Sequence, residues 1–276
     1  MTEKKTSLRI WDVIKIFLLF ILLQLTVTLV TVILAIFISF NTSHPLTNSL
    51  NFIIALIIVI KITSRKYEIS LNENLIMITD QRKMILPIII FSLGLSIFIS
   101  EVGNYVRVLF PMSDFMKEIF SEVLGGEVSY IGTIILVLIV APITEEILLR
   151  GIMLKGLLKR YSPLKSIVIT SLLFGILHFN IYQFVAAFIS GTLLGWLFTK
   201  TKSLVLCIIG HASYNSIGFI LGDLLKLEIK GYTLDGFQPI WFTLFGIVIL
   251  IIVGMILRKQ ANNSQFIDIQ YGDTNG

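Results

Sequence analysis

Of the 276 residues, 55% are hydrophobic and only 14% are charged, with a mean hydropathy of +0.91. A soluble domain holds about 45–50% apolar residues in short runs; here the charges cluster between long apolar runs, which excludes a soluble globular chain and, since the runs do not alternate, a transmembrane barrel. The net charge of +5 reads as a topology signal and not as a nucleic-acid footprint, and the single Cys207 excludes a disulfide framework within the chain.

The first apolar run, residues 16–40, is longer than the roughly 7–15 residues of a signal-peptide core and lacks a small-residue cleavage site, so a retained span is expected. Further runs cover residues 50–62 and 84–100. A mixed stretch follows over 101–127, where Asp114, Lys117, Glu118 and Glu122 stand among Phe115, Met116, Ile119, Phe120, Val123 and Leu124. Its apolar spacing of three and four predicts an amphipathic helix at the membrane interface. The fourth to eighth runs cover 130–154, 166–179, 182–198, 203–221 and 240–257, and the polar tail after Arg258 is expected to be disordered. The fold class read from this pattern is an all-α polytopic membrane protein with about eight transmembrane helices plus one interfacial amphipathic helix, and no internal repeat.

With eight spans and both ends inside, the inner segments collect about sixteen Lys and Arg and the outer ones four, namely Arg107, Lys117, Lys226 and Lys230. That bias predicts a multi-pass cell-membrane protein with both termini cytoplasmic.

Ionisable groups inside the predicted spans are confined to the second half of the chain. The fourth span holds Glu145, Glu146 and Arg150, the fifth His178 and the seventh His211. A charged residue at depth costs about 2.5–3.5 kcal/mol on insertion scales, so such residues need a partner, a water-filled cavity or a function. At 1.5 Å per residue, counted from Lys155, Lys202 and Lys165, Glu145 lies about 15 Å, His211 roughly 14 Å and His178 about 20 Å from the inner face. Three groups on three spans thus reach similar depth, as one shared polar site requires.

Glu146 and Arg150 are four apart with the acid first, the favourable orientation for an ion pair on one helical face. Glu145 has Leu149 at that offset and points about 100° away. Pro142 removes a backbone donor, and a kink there would open the helix to water. His211 and Asn215 share a face, and Phe174 sits one turn before His178, where it would wall the imidazole.

The string Glu145-Glu146-Ile147-Leu148-Leu149-Arg150 resembles the EExxxR motif of the CPBP (Abi) family of intramembrane proteases, which includes the type II CAAX prenyl endopeptidases and bacteriocin-processing enzymes. Phe174-Gly175-Ile176-Leu177-His178 resembles its FxxxH motif, and His211-Ala212-Ser213-Tyr214-Asn215 its HxxxN motif. The resemblance covers residues 130–222 and holds at every motif position. It implies a catalytic core over 128–225, preceded by N-terminal spans and the interfacial helix over 1–127 and followed by the last span and polar tail over 226–276. It also implies roles. Glu145 is the general base, His178 holds the same water, His211 and Asn215 donate to the oxyanion, and Glu146 and Arg150 form a structural brace.

A metal site stays open as an alternative, with zinc held by Glu145, His178 and His211. The metal-free reading without a cofactor is favoured, because Asn215 beside His211 fits an oxyanion hole better than a zinc shell. The expected substrate is a membrane-associated peptide or protein, cleaved by leader processing or CAAX-type C-terminal processing. The Ile/Lys/Asn-rich composition favours bacterial peptide processing. The partners are this substrate, the lipid bilayer and, as a candidate, a peptide exporter; no nucleic acid is expected. Two other function classes are weighed. A proton-coupled transporter fits poorly with the missing repeat symmetry. A non-catalytic immunity or scaffold protein fits poorly with the complete motif set. The plainer readings are that His44 is a loop residue, Cys207 a packing residue, and Gly191 with Gly195 a helix-packing GxxxG.

Overall fold

The computed structural model describes residues 7–38, 40–42, 44–71, 75, 79–114, 130–221 and 225–272. In chain order these form α1 (Ile10–Ile38), α2 (Pro45–Tyr67), a 3-10 helix (Thr79–Met84), α3 (Ile85–Leu109), α4 (residues 130–158), α5 (Pro163–Leu177), α6 (Ile181–Thr201), α7 (Leu204–Phe219) and α8 (Ile240–Gly272). Apart from a single bridge between Lys230 and Leu234, the described residues hold no β-structure. The chain is an all-α polytopic membrane protein.

Six of the described helices, α1 to α4, α6 and α8, are long and apolar enough to cross a membrane. Two shorter apolar helices, α5 and α7, bring the apolar helices among the described residues to eight, the number expected. With 15 and 16 residues, α5 and α7 are only about 22 and 24 Å long, short of a hydrocarbon core of about 30 Å. The expectation of a disordered polar tail is corrected, since α8 continues through it to Gly272. Of the stretch 101–127 read as an interfacial helix, residues 115–127 lie outside the described ones. Its first part belongs to α3, which carries Glu101 and Arg107 beyond the expected end of the third span.

Two compact units make up the chain. In the first, Met1–Leu71 with Leu109–Leu173, α1 packs on α2 and α2 on α4. At one end of this unit Leu8 N–H donates to the Gly156 carbonyl at 3.0 Å and Lys155 Nζ to the Ser70 carbonyl at 2.7 Å. There Asp12 takes a 3.1 Å bond from Arg9 Nε and a 3.4 Å bond from the Tyr67 hydroxyl. His44, read as a plain loop residue, caps α2: its Nδ1 accepts from Leu46 N–H, with Pro45 at the first helical position, where its missing donor costs nothing.

In the second unit, Asn72–Val108 with Phe174–Gly276, α6 packs on α7 and α8. Helices α3 and α8 cross at Gly94 and Gly246; a Cβ on Gly94 would stand 2.8 Å from the Gly246 carbonyl oxygen, so only glycine admits this approach. The connection before α8 is tied to α3. Ser100 Oγ and Asn104 Nδ2 donate to the Gly231 carbonyl at 3.0 and 2.8 Å, and the buried Glu101 carboxylate accepts from Asn104 and from Gln238 N–H. Gly231 has φ +72°, and a Cβ there would lie 2.3 Å from Gln238 N.

Candidate active site

In α4 the backbone departs from a regular helix on both sides of the first motif. Ile135–Val140 and Ile147–Leu154 are π-helical and flank the α-helical Ala141–Glu146. Such wide turns are rare and are often found at functional sites. Pro142 gives a physical reason for the first: its ring crowds the carbonyl four residues back, and widening the turn relieves this. Ala141 N–H accordingly reaches the Leu136 carbonyl, five residues back, and Thr144 Oγ1 donates to the Val140 carbonyl at 2.7 Å. The backbone polar groups next to the proline are thus bonded within the helix, as a low-dielectric surround demands.

Glu145 and Glu146 close the α-helical segment, and both are buried. Arg150 Nη1 donates to Glu146 Oε1 at 2.8 Å. Arg150 is 1% exposed and Glu146 0%, so each charge depends on protein groups and not on water. Glu145, Glu146 and Arg150 all belong to the first unit.

Phe174, His178, His211 and Asn215 belong to the second unit. His178 stands one residue past α5, which stops at Leu177, in the tight turn into α6. The turn is stabilised locally, with His178 N–H bonded to the Gly175 carbonyl at 3.2 Å and Phe179 at φ +54°. Asn180 Nδ2 donates to the His178 carbonyl at 2.9 Å, while its Oδ1 caps α6 by accepting from Gln183 N–H at 2.8 Å. His178 Nδ1 lies 3.0 Å from the Phe174 carbonyl. A carbonyl only accepts, so Nδ1 carries a proton in this contact, and it is the Nδ1–H tautomer of the imidazole that leaves Nε2 as an acceptor.

Phe174 is 2% exposed and touches both histidines edge-on: its centroid is 5.2 Å from that of His178 and 5.6 Å from that of His211. The FxxxH and HxxxN motifs therefore meet on one aromatic ring. His211 is buried in α7, and Asn215 follows four residues later, half-buried. Ser92 of α3 donates to the Gly210 carbonyl at 3.0 Å and so fixes α7 next to His211. Neither the contact of Phe174 with His211 nor the part of Ser92 was read from sequence. Within each unit, among the described residues, no three His, Cys, Asp or Glu side chains are grouped closely enough to hold a metal ion.

No curated protein and no solved structure gives a significant match to the chain. Residues 127–217, the segment that carries all three motifs, match the Rce1-like family of type II CAAX prenyl endopeptidase Rce1-like proteins, in agreement with their resemblance to the CPBP membrane proteases.

Proposed function

We propose that the chain is an intramembrane endopeptidase that hydrolyses peptide bonds of membrane-associated peptides or proteins. The observation that carries the reading is the meeting of His178 and His211 on the ring of Phe174, which gathers two imidazoles from separate motifs. The family match over 127–217 supports the protease class.

In this reading Glu145 takes a proton from water as the water attacks the scissile carbonyl. His178 holds that water through Nε2, the acceptor left by its Nδ1–H bond. His211 and Asn215 donate to the oxyanion as it forms, the largest usual term in acyl transfer within a dry site. The proton then passes from Glu145 to the leaving amine. Glu146 and Arg150 brace α4 and do not touch substrate. The substrate is a leader peptide of the bacteriocin or signalling type, or a CAAX-type C-terminal tail.

The test compares membranes containing wild-type protein or Glu145→Gln, with mass spectrometry of the peptides that accumulate. Uncleaved precursors building up only with Glu145→Gln support the proposal. Identical peptide profiles, with equal protein levels in the membrane, overturn it.

A further inference from the structure

A groove of about 420 Å³ opens on the surface of the second unit, and no motif residue lines it. Small-molecule sites span about 300–1,000 Å³, so the volume suits a ligand. Phe91 of α3, Leu193 and Trp196 of α6, and Ile251 and Met255 of α8 form its walls, and Arg258 stands at one end. Along α8 it runs from Leu250 to Arg258, about 12 Å. Ile251 and Met255 are more than half exposed, although α6 and α8 are both helices of membrane-spanning character. The medium they face is therefore acyl chain.

The charge around the Arg258 end identifies the head group. Gln81 Nε2 donates to the Thr201 carbonyl at 2.9 Å and holds the 3-10 helix at the end of α6. That 3-10 helix also packs on α8. Arg82 and Lys83, Lys200 and Lys202, and Arg258 and Lys259 thus gather at one end of the unit from three elements. The opposite end is mixed, with Glu101, Glu228 and Asp235 beside Arg107, Lys226 and Lys230. Clustered cations next to a membrane surface attract anionic lipid, and basic pockets between helices bind such head groups.

We propose that this groove binds one membrane phospholipid with an anionic head group, its acyl chain between α6 and α8 and its phosphate on Arg258. The guanidinium suits this role, since its planar fork matches a phosphate in two parallel bonds. Trp196 is placed to report on the site, because an indole in the wall contacts any chain that fills it.

The chain has three tryptophans. Replacing Trp11 and Trp241 by Phe leaves Trp196 as the only one. This protein is reconstituted in phosphatidylcholine vesicles that contain a minor fraction of either phosphatidylglycerol or phosphatidylcholine with dibrominated chains, whose bromines quench indole on contact. The phosphatidylglycerol is expected to reach half-quenching at a fraction about five-fold lower, the worth of one cation near an anionic surface. Arg258→Gln is expected to remove this difference, and Lys259→Gln to keep most of it. A Cβ on Gly254 would lie 3.5 Å from Phe91, so Gly254→Leu puts its side chain into the groove and should weaken quenching by both lipids. Equal quenching by the two lipids overturns the proposal. So does loss of the preference in both charge variants alike, which marks a diffuse charge effect. Undiminished quenching in Gly254→Leu places the lipid elsewhere and also overturns it.

Discussion

The ring of Phe174 lies edge-on to the imidazole of His211, with centroids 5.6 Å apart, and the same ring flanks His178 at 5.2 Å. One buried side chain thereby sets the orientation of two candidate catalytic groups. Truncation to Ala would open a cavity at a cost of about 3–5 kcal/mol, so Phe174→Leu is the better probe. It is expected to lower kcat on the order of 10²-fold, the scale of a small misplacement at a reacting centre, with little change in KM. Combined with His178→Ala it should add much less than its separate effect, because the ring then has one imidazole fewer to place. Fully additive losses in the double variant argue against the positioning role.

Glu145→Gln keeps the size of the side chain but cannot take a proton. Purified in detergent, this variant should match wild type in yield and thermal unfolding while cleavage is lost. Turnover near the wild-type rate removes Glu145 from the mechanism.

Arg150 and Glu146 are paired at 2.8 Å and shielded from solvent. Removal of either partner alone leaves the other buried and charged, which costs about 3–5 kcal/mol. Arg150→Met and Glu146→Leu are each expected to depress the thermal midpoint, and the double variant to recover part of the loss. If Arg150→Met leaves the midpoint unchanged and alters only which peptides are cut, Arg150 is a substrate contact and not a brace.

Asn215 separates the two chemistries. Loss of one oxyanion donor typically lowers turnover by about 10²–10³. Asn215→Ala should show that loss in kcat with KM nearly constant, since the donor acts chiefly in the transition state. In the zinc alternative Asn215 matters less, and loss of His178 or His211 releases metal. Metal content of the active protein, with activity after extended chelation and after zinc return, decides between them.

Hydropathy made the helices legible, because a bilayer forces apolar residues into long uninterrupted runs. It did not resolve where α5 ends. The apolar Phe179 follows His178, so the run reads on for two residues past the point where the helix stops, and the turn is closed by its own carbonyls and by Asn180. Spacing at four residues made the Glu146–Arg150 contact readable, since both lie on one helix. It gave no access to the contact of Phe174 with His211, which joins residues 37 apart in number and depends on how α7 packs. The π-helical turns beside Pro142 left only the proline as a signal. Glu101 escaped notice because the mixed composition around it reads as an interface, whereas Asn104 and Gln238 satisfy it inside the fold.

The short reach of α5 has a consequence for the surrounding membrane. This helix of about 22 Å turns Leu164, Val168, Leu172 and Ile176 outward, so lipid against it meets an apolar wall shorter than a hydrocarbon core of about 30 Å. A bilayer accommodates such hydrophobic mismatch by thinning, at fractions of a kcal/mol per ångström. Thinning brings the head-group region closer to the turn that carries His178. Membrane thickness then becomes a control on the enzyme: cleavage should run faster in vesicles of short-chain lipid and slow as the acyl chains lengthen, with no change in the protein itself. Rates measured across a series of phosphatidylcholines of increasing chain length check this, and a flat series rules it out.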